Sequence, residues 1–313
     1  MVVNLSMLVS RIMRKFLINT ILFFGIILLV DFCIGRICDY FQEHPKGGFT
    51  KGLNDLVMND SHDILIFGSS RAHHHYDTPF LSDTLGLDAY NAGYDGNGVI
   101  LAYGLLDLIL ERYHPKLVLL DVEPSFDIYK YNYDDNNKRY LSLLKPYYRK
   151  DSVKSIFKDI SIEEWYKVHS GLIRYNSKIL SLVVSYLRNI ETDDHGYKPL
   201  YEIYEDESDN NRTYNEEVDS VKLSYIEKFI KKTKEKKIAL AVVASPKYGA
   251  ESSDCLTPVI KLCSQYSIPF LDYYASPIYM IHKEWFRESM HLNVEGARHF
   301  SKSIASDIKR IIN

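Results

Sequence analysis

The chain has 313 residues and a nearly balanced charge, with 38 lysines and arginines against 41 aspartates and glutamates. Because nucleic-acid binding needs a basic surface, this balance argues against a nucleic-acid partner. A hydrophobic content of 46% with 25% charged residues is typical of a globular protein with a substantial core, in one large or two modest domains.

The first predicted element is a membrane anchor over residues 1–36. Three cations, Arg11, Arg14 and Lys15, precede an apolar run over residues 16–30. With its flanks, this stretch reaches the roughly 20 residues that a membrane-spanning helix needs. The cations predict a single pass through the cell membrane, with the N-terminus in the cytoplasm and the remaining chain extracytoplasmic. A cleaved signal peptide has a similar pattern, but no small-x-small cleavage site follows, so we favour the uncleaved anchor.

The cysteines carry no metal-binding or redox signature. They form no Cys-x-x-Cys pair and show no metal-ligand spacing with histidines. They are Cys33, Cys38, Cys255 and Cys263. We expect Cys33 to lie in the membrane, and Cys255 and Cys263 to pack along a helix, with a disulfide in the extracytoplasmic domain as the open alternative. The sequence implies no metal and no organic cofactor.

Beyond a polar stalk at residues 37–60, the pattern predicts an α/β domain over residues 61–313. Strand-like apolar runs alternate with stretches whose apolar residues have helical spacing, which is typical of a parallel sheet covered by helices. Strands are predicted at residues 63–67, 87–91, 117–122, 238–244 and 269–273. Helices are predicted at residues 98–113, 218–236 and 294–312.

The alternation stops between residues 127 and 215, which predicts an inserted helical subdomain. Helical patterns occur at residues 161–168 and 177–187, and the acidic segment 202–211 is predicted to be a solvated loop. The insertion contains several aromatic residues, among them Tyr129, Tyr131, Tyr133, Tyr147, Tyr148 and Trp165. These rings either form a stacking surface for sugars or pack in the core of the insertion.

Two distant segments carry the candidate chemistry. The first predicted strand runs into Gly68-Ser69-Ser70, a turn that would place a hydroxyl at the carboxyl edge of the sheet, where open α/β folds bind ligands. The second segment offers a carboxylate and an imidazole, Glu288 and His291. A serine hydroxyl becomes a nucleophile when a base lies within hydrogen-bond reach and a third group orients that base. Ser70, His291 and Glu288 are therefore a candidate catalytic triad.

These segments resemble the sequence blocks of the SGNH (GDSL-type) hydrolase superfamily, over roughly residues 60–125 and 235–313. The resemblance implies a three-layer α/β/α, flavodoxin-like fold with a five-stranded parallel sheet. The family's nucleophile is the serine of a Gly-Asp-Ser motif, which corresponds to Ser70, with Ser69 in place of the aspartate. Its Asp-x-x-His block corresponds to residues 288–291, with a glutamate in place of the aspartate.

The resemblance also implies which groups stabilise the oxyanion. The family's second block is an Asn-x-Gly-x-x-Gly-like turn, and its last glycine corresponds to Gly96. The implied donors are the backbone N–H groups of Ser70 and Gly96. The third block departs from the family, because its usual asparagine is missing. Either Ser125 or Asn97 replaces that asparagine, or the site is weaker than those of its relatives.

The Gly-Ser-Ser variant is similar to that of membrane-anchored relatives that act in acylation of cell-surface polymers. These include D-alanyl transfer proteins of teichoic acid synthesis and alginate acetylation proteins. The similarity implies a glycan or another acyl ester as the substrate, on a cell-surface or exported polysaccharide. It also implies a multi-pass acyl donor protein as a possible partner in the same membrane.

The residues that follow the nucleophile leave alternatives open. Arg71 either holds an anionic or hydroxylated substrate or pairs with a nearby acid. His73, His74 and His75 suggest a metal site, but consecutive histidines do not share a helix face, so we do not expect three ligands to one ion. We expect one of these histidines to face the cleft and the others to be solvated.

Together, the motifs predict a serine esterase or O-acyltransferase that works through an acyl-enzyme. Its expected substrates are acyl esters, with acetyl as the favoured acyl group. In one alternative, His291 caps the final helix and Glu288 is solvated. In another, the protein is a non-catalytic SGNH-fold protein for glycan binding or assembly. The missing asparagine and the glutamate at position 288 favour this last alternative, whereas Ser70 and His291 oppose it.

Overall fold

The apolar runs predicted as strands form one parallel sheet. The computed structural model describes residues 5–130, 137–190, 195–204 and 217–312. The strands are β1 (Ile64–Gly68), β2 (Ala89–Gly93), β3 (Leu117–Asp121), β4 (Ala239–Ala244) and β5 (Phe270–Asp272). Their order, β2-β1-β3-β4-β5, is that of the flavodoxin-like doubly wound sheets. The predicted α/β fold with a five-stranded parallel sheet is confirmed.

Helices surround the sheet and also precede it. The N-terminal helices are α1 (Leu5–Glu43), α2 (Gly48–Asn54), α3 (Ser70–His75), α4 (Thr78–Leu85) and α5 (Val99–Leu110). Those between β3 and β4 are α6 (Asp151–Ile160), α7 (Ile162–Lys167), α8 (Gly171–Tyr175), α9 (Ile179–Leu187) and α10 (Ser220–Glu235). The last are α11 (Thr257–Tyr266), α12 (Pro277–Met280) and α13 (Val294–Ile312), with a short antiparallel pair, β6 (Phe286–Glu288) and β7 (His291–Leu292), before α13.

The two faces of the sheet bury alternate residues of the same strands. In β1, Leu65 and Phe67 belong to one core cluster, which also contains residues of α5 and α10. Ile64 and Ile66 belong to a second cluster, which contains residues of α4 and α13. Because helices cover both faces, the strands read as continuous apolar runs, and the molecule has three layers.

The strand register brings the candidate site residues to one edge of the sheet. Gly68 at the end of β1 pairs with Gly93 at the end of β2, so the segments that follow these strands lie side by side. The end of β3, at Asp121, pairs with β4 and lies at the same edge. The carboxyl ends of parallel strands are where ligands bind in this class of fold.

Helix α1 is long and apolar enough to span a membrane, and the side chains of its apolar stretch are exposed. It continues past the predicted end of the anchor at residue 36 because its last turns pack on the insertion. The Asp31 carboxylate accepts hydrogen bonds from the Ser170 hydroxyl, at 2.7 Å, and from the Leu172 N–H, at 2.9 Å. Arg174 donates to Asp39 at 2.9 Å. The helix and the domain are therefore joined by polar contacts, of which the one between Arg174 and Asp39 is buried.

The end of the segment predicted as a stalk is helical where it leads into β1. This segment forms α2 and then a π-helical turn at Asp55–Asn59. Leu53, Leu56 and Val57 are buried in the same core cluster as Leu65. These three apolar residues share one helix face. Three residues are a short apolar pattern, and the polar residues between them made it hard to recognise in the sequence.

Four of the aromatic residues named above lie within the described residues, and all four pack inward. Tyr147 and Tyr148 are buried in the main core cluster, and Trp165 packs against that cluster. The Tyr129 hydroxyl donates to the Cys255 carbonyl at 3.0 Å. Core packing therefore accounts for these rings. Tyr131, Tyr133 and most of the acidic segment, residues 205–211, lie outside the described residues.

The four cysteines, all within the described residues, are free thiols. Cys263 is buried in α11, and Cys255 lies in the short 3-10 turn before that helix. Burial raises the pKa of the Cys263 thiol to about 12, so this thiol packs as a small apolar side chain.

Candidate active site

The turn after β1 presents Ser70 at the sheet edge. Gly68 has a φ of +154°, and a Cβ atom there would lie 2.6 Å from the Asp121 carbonyl oxygen, so a side chain is not tolerated. Ser69 is fully buried, and its hydroxyl accepts a hydrogen bond from the Arg71 N–H, as an N-cap does. Ser70 is the first residue of α3. Its hydroxyl therefore lies where the chain leaves the sheet.

The structure brings Ser70 next to His291, with Glu288 on the far side of the ring. The Nε2 atom of His291 lies 2.7 Å from the Ser70 Oγ atom. Its Nδ1 atom is hydrogen-bonded to Oε1 of Glu288, and Oε2 of Glu288 accepts the Met290 N–H at 2.7 Å. Asn293 caps α13 instead of His291, because its Oδ1 accepts the Gly296 N–H at 3.1 Å.

This hydrogen-bond pattern sets the tautomer of His291. A carboxylate only accepts hydrogen bonds, so Glu288 holds the proton of His291 on Nδ1. The unprotonated Nε2 atom then faces the Ser70 hydroxyl and can accept its proton. The pair Glu288 and His291 thus has the geometry that activates a serine nucleophile.

A buried histidine, His75, holds the backbone beside His291. Its Nε2 atom accepts the Leu292 N–H at 3.0 Å, and its Nδ1 atom lies 2.9 Å from the Ser245 Oγ atom. Complete burial, assisted by the positive charge of Arg71, lowers the pKa of His75 well below its usual value. A neutral ring fits this position because Nε2 must act as an acceptor. This role of His75 is not visible in the sequence, because its partners Ser245 and Leu292 are far along the chain.

Arg71 lies beneath the nucleophile and is completely buried. Its Nε atom donates to the Ser245 hydroxyl at 3.3 Å, and its guanidinium lies 5.1 Å from the centre of the Tyr274 ring. Both terminal nitrogens lack a hydrogen-bond partner among the described residues. Burial raises the pKa of Asp121 to about 6, and the charge of Arg71 opposes that rise. Arg71 therefore acts electrostatically on a nearby acid and also has unused N–H groups.

A narrow cavity of about 20 Å³ opens beside the nucleophile. It is lined by Ser70, Arg71, Glu123, Ser125, Phe126, Lys247, Met290 and His291. The Ser125 hydroxyl, a candidate oxyanion donor, instead donates to Oε2 of the buried Glu123 at 2.6 Å. A hydroxyl has one proton, so that of Ser125 is already used.

The second candidate donor, Asn97, lies in the turn after β2. This turn is closed by the Asn97 N–H, which donates to the Tyr94 carbonyl at 3.1 Å, and Gly96 has a φ of +71° within it. The Asn97 side-chain amide donates to the Asp95 carbonyl at 3.0 Å. Because β1 and β2 pair up to their last residues, the Gly96 turn lies at the same edge as Ser70.

The expectation that two of the three consecutive histidines are solvated is wrong. Side-chain exposure is 12% for His73 and 6% for His74, and His75 is completely buried. The short helix α3 is covered from several sides, by β1, β2, β7 and α13. His73 and His74 both contact the carboxylate of Asp95. Partial burial raises the pKa of Asp95, but the close contacts of its carboxylate with His73 and His74 outweigh this effect and hold the pKa well below its usual value.

Comparisons with known proteins give structural neighbours only. No protein-family model and no curated protein matches the chain. An acetyl xylan esterase structure aligns over 78% of this chain and 99% of its own, with 11% identity and a TM-score of 0.39. A Streptococcus pneumonia structure, provisionally described as a platelet activating factor, aligns over 93% and 98%, with 12% identity and a TM-score of 0.41.

Proposed function

We propose that the protein is a serine esterase or O-acyltransferase that works through an acyl-enzyme on Ser70. The observation that supports this most directly is the 2.7 Å contact between the Ser70 Oγ atom and His291 Nε2, with Glu288 on Nδ1 of the same ring. Three polar side chains from two distant segments meet in the order that nucleophilic catalysis requires.

In the proposed reaction, the Ser70 oxygen attacks the ester carbonyl while His291 takes the hydroxyl proton. Glu288 keeps the imidazolium oriented and stabilised. The N–H groups of Ser70 and Gly96 are the proposed donors to the oxyanion. Collapse of the tetrahedral intermediate releases the alcohol, which receives the proton from His291. His291 then deprotonates the second acceptor, either water in a hydrolase or a sugar hydroxyl in a transferase.

The small size of the cavity supports a short acyl group. A space of about 20 Å³ beside Ser70 is close to the volume that one water molecule needs. A methyl group fits that volume, whereas a fatty acyl chain does not. We therefore propose acetyl esters as the first substrates to test.

Helix α1 supports a membrane-surface location for this activity. The helix is apolar enough to span a bilayer, and three cations, Arg11, Arg14 and Lys15, precede its apolar stretch. By the positive-inside rule, these charges favour an extracytoplasmic domain. We propose a cell-surface or exported polysaccharide as the acyl acceptor or ester substrate, and a multi-pass membrane protein as an acyl donor in the transferase case.

The test is hydrolysis of p-nitrophenyl acetate by the full chain in detergent, with mass spectrometry of the protein during turnover. We expect a burst of nitrophenol and an acetyl group on Ser70. Ser70→Ala and His291→Ala should abolish both. The matched controls are Ser252→Ala and His282→Ala, because Ser252 is exposed, His282 is partly exposed, and both lie outside the cavity.

Two results would count against this proposal. One is equal turnover by the wild type and Ser70→Ala. The other is the absence of any acyl-enzyme when the wild type is incubated with acetyl esters of both a nitrophenol and a sugar. That second result would favour the non-catalytic glycan-binding protein, which equilibrium binding of oligosaccharides would then reveal.

A further inference from the structure

Two histidines and one aspartate converge on a single point beside the candidate active site. His73 Nδ1 lies 2.8 Å from Oδ1 of Asp95, and His74 Nε2 lies 3.1 Å from the same oxygen. The ligand atoms of the three residues all lie within 4.8 Å of one another. The histidines belong to α3 and the aspartate to the turn after β2, so the cluster joins two segments that flank Ser70.

The hydrogen bonds of His74 determine which of its nitrogens has a lone pair. Its Nδ1 atom lies 2.7 Å from the Lys198 carbonyl oxygen, which can only accept, so Nδ1 carries the proton. In the neutral ring, Nε2 is then a lone-pair donor, and it faces a carboxylate oxygen. Two electron pairs that face each other at 3.1 Å repel, unless a metal cation or a second proton on the ring lies between them.

From this geometry, we infer a binding site for one divalent transition-metal ion, with His73, His74 and Asp95 as ligands. Two imidazoles and one carboxylate are a typical ligand set for Zn²⁺, and water completes four-coordination. The Lys198 carbonyl would act as the outer partner that fixes the orientation and tautomer of a metal-bound histidine.

The distances are compatible with an ion after small movements. Zinc–nitrogen bonds of about 2.0–2.1 Å in a tetrahedral site place neighbouring ligand atoms about 3.3 Å apart. The two nitrogen–oxygen separations of 2.8 Å and 3.1 Å need to widen by a few tenths of an ångström, and the two nitrogens already lie within 4.8 Å of each other. The second carboxylate oxygen of Asp95, Oδ2, lies 3.9 Å from the Lys198 Nζ atom and therefore pairs with that ammonium group.

The sequence argued against such a site because consecutive histidines point to different helix faces. The third histidine, His75, does face the core, but His73 and His74 of the short helix α3 both contact one carboxylate beside it. The third ligand, Asp95, comes from a neighbouring loop. A bound ion would tie α3 to the turn that contains Gly96.

The competing explanation is a second proton on His74, which would turn the cluster into a salt bridge. Zinc titration by calorimetry distinguishes the two. The full chain, purified in detergent with a tag free of histidine and stripped with a chelator, is titrated with Zn²⁺. We expect one ion per chain with micromolar or tighter affinity. His74→Ala and Asp95→Asn should each weaken binding by at least about 10-fold.

The control variant is His282→Ala. His282 also pairs with a carboxylate, its Nδ1 atom lying 2.7 Å from Oε1 of Glu284, and it lies outside the cluster. Its removal should leave the zinc affinity unchanged. Equal affinities for the wild type and all three variants, or no binding by the wild type, would overturn the assignment.

Because a cluster variant can fail to fold, a second measurement uses the wild type alone. Cobalt(II) bound to this site should show the intense visible absorption of a four-coordinate ion with nitrogen and oxygen ligands. The weak spectrum of six-coordinate cobalt would contradict the site. Neither measurement depends on ester hydrolysis, so the metal site and the proposed function succeed or fail separately.

Discussion

The candidate site has a proton-transfer half, made of Ser70, His291 and Glu288, and an oxyanion half, made of the candidate donors around Ser70. These two halves are assembled to different degrees. In the first half, Ser70, His291 and Glu288 already form their hydrogen bonds. In the second half, both candidate side chains are engaged elsewhere, Ser125 with Glu123 and Asn97 with a backbone carbonyl in its own turn. The base and nucleophile are thus pre-organised, while in our proposal oxyanion stabilisation depends on backbone N–H groups.

This difference has a consequence for the rate. Electrostatic stabilisation of the oxyanion is usually the largest single contribution to acyl-transfer catalysis. A site with backbone donors alone should turn over more slowly than one with an added asparagine, but it should still depend fully on the triad. Variants in the two halves should therefore have very different effects.

The largest effect among these variants is expected for Glu288→Gln. Both carboxylate oxygens act as acceptors, one for His291 and one for the Met290 N–H. A glutamine must direct its amide N–H₂ at one of these donors, which either reverses the tautomer of His291 or breaks the bond from the Met290 N–H that holds the side chain in place. We expect kcat to fall about 10³-fold to 10⁴-fold, measured with p-nitrophenyl acetate. A fall of less than about 10-fold would show that Glu288 does not orient the base.

The next largest effect is expected for His75→Gln, which tests how the proton-transfer half is supported. Glutamine can accept the Leu292 N–H but fits the buried position less well, so His291 shifts. Misplacement of this kind costs roughly 10-fold to 100-fold in kcat. Because His75 does not bind substrate, KM should stay close to its wild-type value. An equal rise of KM and fall of kcat/KM, with kcat unchanged, would contradict this positioning role.

The same variant gives a pH signature. The pKa of His75 is well below its usual value in the folded protein because the ring is buried. The unfolded chain therefore binds an extra proton below about pH 6.5, and the wild type loses stability as the pH falls. Glutamine does not titrate, so the wild-type advantage in unfolding free energy should shrink between pH 7.5 and pH 5.5 in urea titrations. A constant difference would rule out a neutral buried ring.

These two halves were also predictable from the sequence to different degrees. The strands, the nucleophile turn and the Glu288–His291 segment follow from local patterns and motif order. The role of His75 does not, because its contacts with Leu292 and Ser245 depend on the tertiary fold. The hydrogen bond from the Ser125 hydroxyl to Glu123 was equally unpredictable from the sequence. A hydroxyl can donate to any acceptor nearby, and the tertiary fold determines which acceptors are near.

A smaller effect is expected for Gly96→Ala, with Gly86→Ala as the matched control. Both glycines have positive φ angles, +71° and +64°, and a Cβ atom at either would have no neighbour within 4 Å. Each alanine should therefore cost about 1–2 kcal/mol of stability through backbone strain alone. Only Gly96→Ala should slow turnover, by about 10-fold, because it shifts a proposed oxyanion donor. Equal rates for the two variants would remove Gly96 from the oxyanion half.

The smallest effect is expected for Ser125→Ala, and this variant tests the comparison most directly. The Ser125 proton is directed at Oε2 of Glu123, which keeps the Phe126 N–H at 2.9 Å when the hydroxyl is removed. We therefore expect kcat/KM to change by less than about 3-fold, whereas loss of a working oxyanion donor costs about 100-fold to 1,000-fold. A loss in that larger range would mean that the hydroxyl turns from Glu123 to the substrate during reaction. Binding of the ester would then complete the oxyanion half by recruiting the Ser125 hydroxyl. The difference in assembly between the two halves would exist only before the substrate binds.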